Sequence, residues 1–396
     1  MVLQGYKIVE LASYIAAPGA AGILADWGAE VTKVEARDGD PIRRLRPGSP
    51  GGCSPEFESI NRGKRDVVLD YGQPEGREAL LRLVRQADVF ITSIRPRSLA
   101  RAGLDWAALA NENDRLVYAS VTGYGLDGPG ADLPAFDITA FWSRSGLAFQ
   151  TVPEGLAPFA WRPGVGDHSC AVATALGIVT ALLDRTRTGK GRLVETSLLR
   201  SGVHAIGFDI ADQLRLGDVA RTAQREAPQA VLSSYFRTAD DRWLCIYPLN
   251  PSTDWPDIFG AAGRADLASD RRFMSPESRT VHRAALMQAL DLGFAEVPLS
   301  VIADRLASSR LVWSPVQSPA EVVGDPLAIA AGCFVEVEGR DGAPFRGPAP
   351  PVRFPGVPEQ VKAPAPNIGE HTDAVLKDLG FADEQIAEMK RTGAAG

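Results

Sequence analysis

The sequence predicts an α/β protein: a Rossmann-like, doubly wound parallel-sheet domain joined to a smaller α+β domain. Three observations carry this expectation. Short apolar strand runs alternate with helical stretches over the first 120 residues, a Gly- and Pro-rich stretch then leads into one long small-residue helix, and beyond residue 226 short strands are followed by helices. With 396 residues, 45% of them hydrophobic and 23% charged, the chain is long enough for two domains that each bury a core.

The first strand is expected over 8–11, a small-residue helix over 18–27 and a second strand over 30–34, which together make a βαβ unit. A further set follows: a strand over 67–69, a helix opened by Pro74 and Glu75 with Leu80, Leu83 and Val84 along it, and strands over 89–91 and 116–120. The first turn reads Ala12-Ser13-Tyr14-Ile15-Ala16-Ala17-Pro18-Gly19 and lacks the glycine fingerprint of dinucleotide enzymes, so the fold does not imply NAD. A helix is expected over 137–145. Asp167 then starts the longest helix, Gly189 ends it, and a strand follows over 193–198. The large domain spans 1–200 and 325–396, with a linker helix in 201–225. The small domain, 226–324, carries strands over 234–237 and 243–247 and helices over 286–292 and 299–306. Eight prolines between Pro344 and Pro366 read as an extended connector without regular hydrogen bonding, and two short helices close the chain.

A net charge of -7 argues against a nucleic-acid or anionic-membrane surface, since those partners reward a basic face. The charge is uneven: up to Arg101 there are 15 Lys+Arg against 13 Asp+Glu, which suits an anionic ligand near the N-terminal strands. Cys53, Cys170, Cys245 and Cys333 lie far apart, with no CxxC pair and no His at ligand spacing, so neither a disulfide framework nor a metal site is expected. No basic leader followed by an apolar stretch opens the chain and no apolar run reaches about 18 residues, so a cytoplasmic protein is expected.

Asp167, in Arg162-Pro163-Gly164-Val165-Gly166-Asp167-His168-Ser169, admits two readings. One is a helix N-cap. The other is a nucleophile, held ionised by the helix N-terminus and approached over Gly164 and Gly166. Arg37, Arg62, Lys64, Arg65, Arg95, Arg97 and Arg101 fall at or beyond strand ends, where a doubly wound sheet binds its ligands, so members of this set could meet phosphates; plain solvated charge is the alternative for each. His168 is the helix neighbour of Asp167 and reads as pointing elsewhere. Cys170 reads as packing.

These motifs together resemble the class III CoA-transferase family, of CaiB/BaiF type, which includes formyl-CoA transferases and 2-methylacyl-CoA racemases. The resemblance rests on Gly28-Ala29-Glu30-Val31-Thr32-Lys33-Val34-Glu35, Asn61-Arg62-Gly63-Lys64-Arg65 with Leu69-Asp70, and Ser120-Val121-Thr122-Gly123-Tyr124-Gly125. It continues through Phe136-Asp137-Ile138, Asp167 with its helix, Arg185-Thr186-Arg187-Thr188-Gly189-Lys190-Gly191 and Gly369-Glu370-His371-Thr372. It implies an interlocked homodimer that moves coenzyme A from an acyl-CoA donor to a small carboxylic acid, with Asp167 forming first an acyl anhydride and then an aspartyl-CoA thioester. By the same resemblance CoA lies near Ile15, Ala16, Arg37, Leu69, Asp70, Tyr71, Gly72, Ser93, Ile94, Arg95, Arg101 and Phe136. The family's adenine-side arginine falls at Ala36, one residue before Arg37. The glycine-rich loop of oxalate-using members is replaced by Tyr247-Pro248-Leu249-Asn250-Pro251, and the aromatics of Phe136-Asp137-Ile138-Thr139-Ala140-Phe141-Trp142 suit a larger, partly apolar acid or else a core. Two alternatives stay open: a racemase, although Phe136 stands where such enzymes carry a histidine, and a CoA-binding protein without turnover.

Overall fold

The computed structural model describes residues 1–46, 54–159, 161–230, 234–250, 253–340, 342–357 and 361–396. Cys53, Pro251 and the 358–360 stretch of the proline connector lie outside the described residues. The chain divides into two units. One comprises Met1–Ala148, Phe159–Ala211 and Leu327–Gly396; the other comprises Phe149–Pro158 and Asp212–Pro326.

The first unit is built on a six-stranded sheet of β1 (Lys7–Leu11), β2 (Glu30–Glu35), β3 (Arg65–Val68), β4 (Val89–Thr92), β5 (Val117–Thr122) and β6 (Arg192–Ser197), in the order β3-β2-β1-β4-β5-β6. Every pairing is parallel, with Ile8 opposite Val31 on one side and Val89 on the other. Alternate side chains serve opposite faces. Ile8, Ile91, Val117 and Ala119 join a core with Ala17, Leu24, Cys170, Ala175 and Ile178 from the Ala16–Asp26 and Val165–Thr188 helices. Val9, Leu11, Phe90 and Tyr118 join a second core with Leu80, Val84, Leu376 and Ile386. Apolar side chains on both faces are what a sheet covered on each side by helices requires. The order reverses between β1 and β4, the switch point at whose strand carboxyl ends doubly wound sheets bind their ligands.

Close approach of the Ala16–Asp26 and Val165–Thr188 helices depends on small residues: a Cβ on Gly19 would lie 3.2 Å from that of Ala171. The second helix contains an 18-residue window of mean hydropathy 1.4 and is long and apolar enough to cross a membrane, contrary to the expectation of no such segment. Interspersed small and polar residues hide this in the sequence. Cys170, Ala171, Thr174, Ala175, Ile178 and Leu182 on one side of it are buried, whereas Val172, Leu176 and Leu183 are exposed.

The proline connector is more regular than its composition suggests. Phe345–Pro348 forms a strand, β11, antiparallel to β10 (Phe334–Val337), and Val337 also bridges to Lys362. Farther on it is strapped down: Arg43 Nη1 donates to the Pro366 carbonyl at 2.8 Å and Gly63 N–H to the Ala363 carbonyl at 3.0 Å. The chain end pairs beside β3, with Asp70 N–H on the Ala394 carbonyl and Gly396 N–H on that of Val68.

The second unit holds a three-stranded antiparallel sheet, β7 (Ser234–Arg237), β8 (Trp243–Tyr247) and β9 (Val312–Pro315), in that order. Phe236, Leu244 and Ile246 pack there with Phe259, Leu286, Leu290 and Phe294 of its helices. Of its strands, β9 has no counterpart among those the sequence predicts, because Val312-Trp313-Ser314-Pro315 is too short and too polar to stand out.

Candidate active site

The loop after β1 is shaped by charge buried beneath it. Lys33 Nζ donates to Glu10 Oε1 at 2.7 Å, to Asp40 Oδ2 at 3.0 Å and to the Ala12 carbonyl at 2.9 Å. Lys64 Nζ holds the other Glu10 oxygen at 2.7 Å, together with the Pro18 carbonyl and Asn61. Glu10, Lys33 and Lys64 are fully buried, and burial brings the Lys64 ammonium down to about 8 while the carboxylates around Lys33 hold that one up. Asp40 Oδ1 accepts from Tyr14 N–H at 3.1 Å. That bond helps fix Tyr14 at φ 68°, a left-handed conformation uncommon for a bulky residue, so strain is held in the loop after β1.

The same cluster corrects the reading of the basic residues. Arg62 pairs with Asp26 and the Pro348 carbonyl, Lys64 is consumed by Glu10, and Arg65 pairs with Asp378. Arg62 and Lys64 are therefore core ion partners rather than phosphate contacts. Arg43 adds a bidentate grip on Glu35 and reaches Asp66 at 3.2 Å; burial beside Glu35 pushes the Asp66 carboxyl well above its usual range. Gly369 N–H and His371 Nδ1 tie to Asp66, which accounts for the Gly369-Glu370-His371-Thr372 motif as a lock on β3. Sequence cannot distinguish these buried cations from solvated ones, because burial is decided by residues distant along the chain.

At the switch point, Ser13 N–H donates to Ser93 Oγ at 3.2 Å and joins the loops after β1 and β4. Ile15 and Ala16 enter the first helix, and Ile15 Cδ1 lies 3.8 Å from where a Cβ on Gly164 would be. The remaining predicted CoA residues also follow the carboxyl ends of strands. Arg37 is exposed after β2. Leu69, after β3, is buried and bridges to Ala395, while Asp70 accepts from Gly72 N–H and Gln73. Tyr71 is half-buried and Gly72 exposed. Ser93 and Ile94 are half-buried after β4; Arg95 and Arg101 are exposed, with Arg95 reaching the Asp132 carbonyl at 3.4 Å. Phe136 is exposed and its ring meets that of Tyr14 edge-on at 5.2 Å. The neighbouring Ala140, Phe141 and Trp142 are core.

The helix that carries Asp167 begins two residues earlier than the sequence suggests, at Val165, preceded by Gly164 at φ 101°. Asp167 is thus inside the first turn and not the cap. The capping carboxylate is Asp137, whose Oδ2 accepts from Gly164 N–H at 2.5 Å and Gly166 N–H at 3.2 Å. Asp137 stands at the head of a π-helical turn, Ile138–Ser143, shorter than the helix expected over 137–145. Among the described residues the Asp167 side chain has no hydrogen-bond or salt-bridge partner, and it is half-buried. Burial first, and then the charge of Asp137, push its carboxyl up to about 7, which works against the ionised form that the helix end favours. Asp137 itself is raised by burial against the pull of the amides it accepts. His168 is exposed, with its imidazole held below the usual value by partial desolvation; burial likewise pushes the Cys170 thiol up, as suits packing. Among the described residues no cluster of His, Cys, Asp and Glu is arranged to hold a metal ion.

Asp167 thus offers a half-buried carboxyl that no neighbouring side chain or amide engages among the described residues. Comparison with known proteins identifies the family. The chain is 30% identical over 394 residues to (R)-2-hydroxy-4-methylpentanoate CoA-transferase of Clostridioides difficile, covering 98% of each chain. It is 31% identical over 415 residues to cinnamoyl-CoA:phenyllactate CoA-transferase of Clostridium sporogenes, covering 98% of this chain and 96% of that one. A crystal structure of a CaiB/BaiF family protein from Brucella suis superposes with a TM-score of 0.87 at 28% identity, over 95% of this chain and 99% of that one. With the family model for CoA-transferase family III matching residues 3–372, fold and sequence agree that the chain belongs to that family of enzymes.

Proposed function

We propose that this protein transfers coenzyme A from an acyl-CoA donor to a carboxylic acid through covalent intermediates on Asp167. The Asp167 carboxylate attacks the thioester carbonyl and expels CoA thiolate, leaving an acyl-aspartyl anhydride. The thiolate attacks the aspartyl carbonyl, which releases the donor acid and leaves an aspartyl-CoA thioester. The acceptor carboxylate then attacks that thioester, and returning thiolate cleaves the new anhydride to give acceptor-CoA and free Asp167. Attack by a carboxylate and departure of a thiolate alternate, so no net proton, metal or ATP is consumed.

The observation that carries this reading is the Asp167 carboxyl in the first turn of the long helix, half-buried and without a hydrogen-bond partner among the described residues. CoA lies across the carboxyl ends of the strands, with Ile15, Ala16, Leu69 to Gly72, Ser93, Ile94 and Phe136 beside its pantetheine arm. Exposed Arg37, Arg95 and Arg101 meet its phosphates. The acid carries an apolar side chain: exposed Tyr14 and Phe136 offer rings to it, and the two relatives are named for a branched and an aryl 2-hydroxy acid. The active form is an interlocked homodimer. Its support is the Gly207–Leu216 helix, which buries no residue although it carries Phe208, Leu214 and Leu216.

The test is a mass-spectrometric exchange panel pairing acyl-CoA donors with 2-hydroxy, aryl and dicarboxylic acids, without ATP or added metal. Exchange is expected, strongest with apolar 2-hydroxy acids. No exchange across the panel contradicts the reading, as does solvent deuterium entering the α-carbon of a 2-methylacyl-CoA without exchange, which is the mark of a racemase.

A further inference from the structure

We propose that Asp137 is a positioning residue: it takes over the capping of the Val165–Thr188 helix and so leaves the Asp167 carboxyl free of hydrogen bonds and aimed at the thioester. This rests on the reading of Asp167 as nucleophile and adds a residue to it.

The first-turn amides of a helix need acceptors, and an acidic residue in that turn ordinarily supplies one. Asp167, third in the helix, is the natural candidate, yet Asp137, 30 residues earlier, accepts from Gly164 and Gly166 instead. The Asp167 amide adds to the stabilisation of the Asp137 carboxylate. A residue that has surrendered its local N–H donors to another carboxylate keeps both of its oxygens for the substrate.

Three further features fit a clamp built for this purpose. Asp137 is only 2% exposed, and its Oδ1 is buried without a hydrogen-bond partner, a costly arrangement that a cap alone does not require. It leads into a π-helical turn, a rare form of helix that recurs at functional sites. Gly166 has no space for a side chain, since its Cβ would fall 2.4 Å from Asp137 Oδ1 and 2.2 Å from Phe141 Cγ. The turn bearing Asp167 is therefore pressed directly onto the clamp.

The second consequence is electrostatic. The Asp137 charge raises the Asp167 carboxyl, so removing that charge lowers the pH at which Asp167 ionises. The other titratable groups on the elements packed there are His168 and Cys170 on the same helix, with Asp184, Arg185 and Arg187 at its far end, Arg200 and His204 on the Leu198–Ala205 helix, Arg192 and Glu195 on β6, Tyr118 on β5, and Asp26 on the Ala16–Asp26 helix. His168 acts on Asp137 and Cys170 feels Asp167.

The experiment compares Asp137→Ala, Asp137→Asn and Asp167→Ala in the full chain by CoA exchange, CoA binding and thermal melting. Asn keeps an oxygen acceptor for the two glycine amides but carries no charge. Asp137→Ala is expected to lower kcat at least 100-fold, with donor KM and CoA affinity within about threefold of wild type. Asp137→Asn is expected to recover at least tenfold of that loss, with the acid limb of its kcat/KM profile displaced to lower pH. Asp137→Ala with near wild-type kcat overturns the proposal. So does a loss in both variants that merely tracks reduced melting temperature and CoA binding. If Asp137→Ala does not fold, Asp137→Asn decides alone: an unmoved acid limb overturns the proposal. Exchange surviving in Asp167→Ala is a separate outcome, because it removes the nucleophile assignment itself.

Discussion

Asp167 ionises near neutrality, which sets a pH dependence. Its carboxyl is pushed up to about 7, and only the ionised form attacks a carbonyl. Below that value the protonated acid dominates and the rate falls about tenfold per pH unit. A kcat/KM profile between pH 5 and 9 is therefore expected to rise through about pH 7 and then level. A profile flat down to pH 5 would mean that substrate-free burial is not what governs this group. At this scale the sequence was half legible. Asp167 stands out through its glycines and the long helix behind it. The partnership with Asp137 does not, because a side chain 30 residues away caps the helix through backbone amides and leaves no local pattern. Lys33, Lys64 and Arg62 look like surface charge until Glu10, Asp40 and Asp26 are brought onto them.

Among the elements, the first turn of the Val165–Thr188 helix depends on Gly166 more than on any propensity. Adding a methyl group there drives it into Phe141 and Asp137, which are both buried and cannot yield freely. Gly166→Ala is expected to cost about 1–3 kcal/mol by overpacking, read from denaturant unfolding, and to lower exchange more than tenfold. Wild-type exchange in this variant would show that the turn tolerates displacement and that its register is not critical. The strands β1, β4 and β5 were readable because each is a largely apolar run, β2, β3 and β6 because their valines and leucine fall between helical stretches, and the two closing helices because of their periodicity. The β10–β11 hairpin was not readable. Proline at 344 and 348 argues against strand, yet Pro344 precedes Phe345–Pro348 and Pro348 is its last residue, positions at which proline is tolerated. The π-turn at Ile138–Ser143 was read as ordinary helix, since its composition carries no mark of the wider hydrogen-bond ring.

For the whole molecule, the doubly wound architecture was legible because alternating strands and helices admit few other topologies, whereas the strand order came from the structure. Its assembly is a different matter, since a folded chain with Phe208, Leu214, Leu216, Leu176 and Leu183 in solvent is short of a partner surface. Light scattering at low micromolar concentration is expected to report a dimer that dilution does not separate, because interlocked rings part only on unfolding. A monomer under those conditions contradicts the interlocked arrangement. The account stands most directly on the covalent role of Asp167, and hydroxylamine trapping tests it. The protein is incubated with a donor acyl-CoA and hydroxylamine, which converts an activated aspartyl carbonyl into a stable hydroxamate, and its peptides are then read by mass spectrometry. The predicted result is a donor-dependent hydroxamate on Asp167, absent from Asp167→Ala; active exchange with Asp167 unmodified, or with the label on another carboxylate, would contradict it.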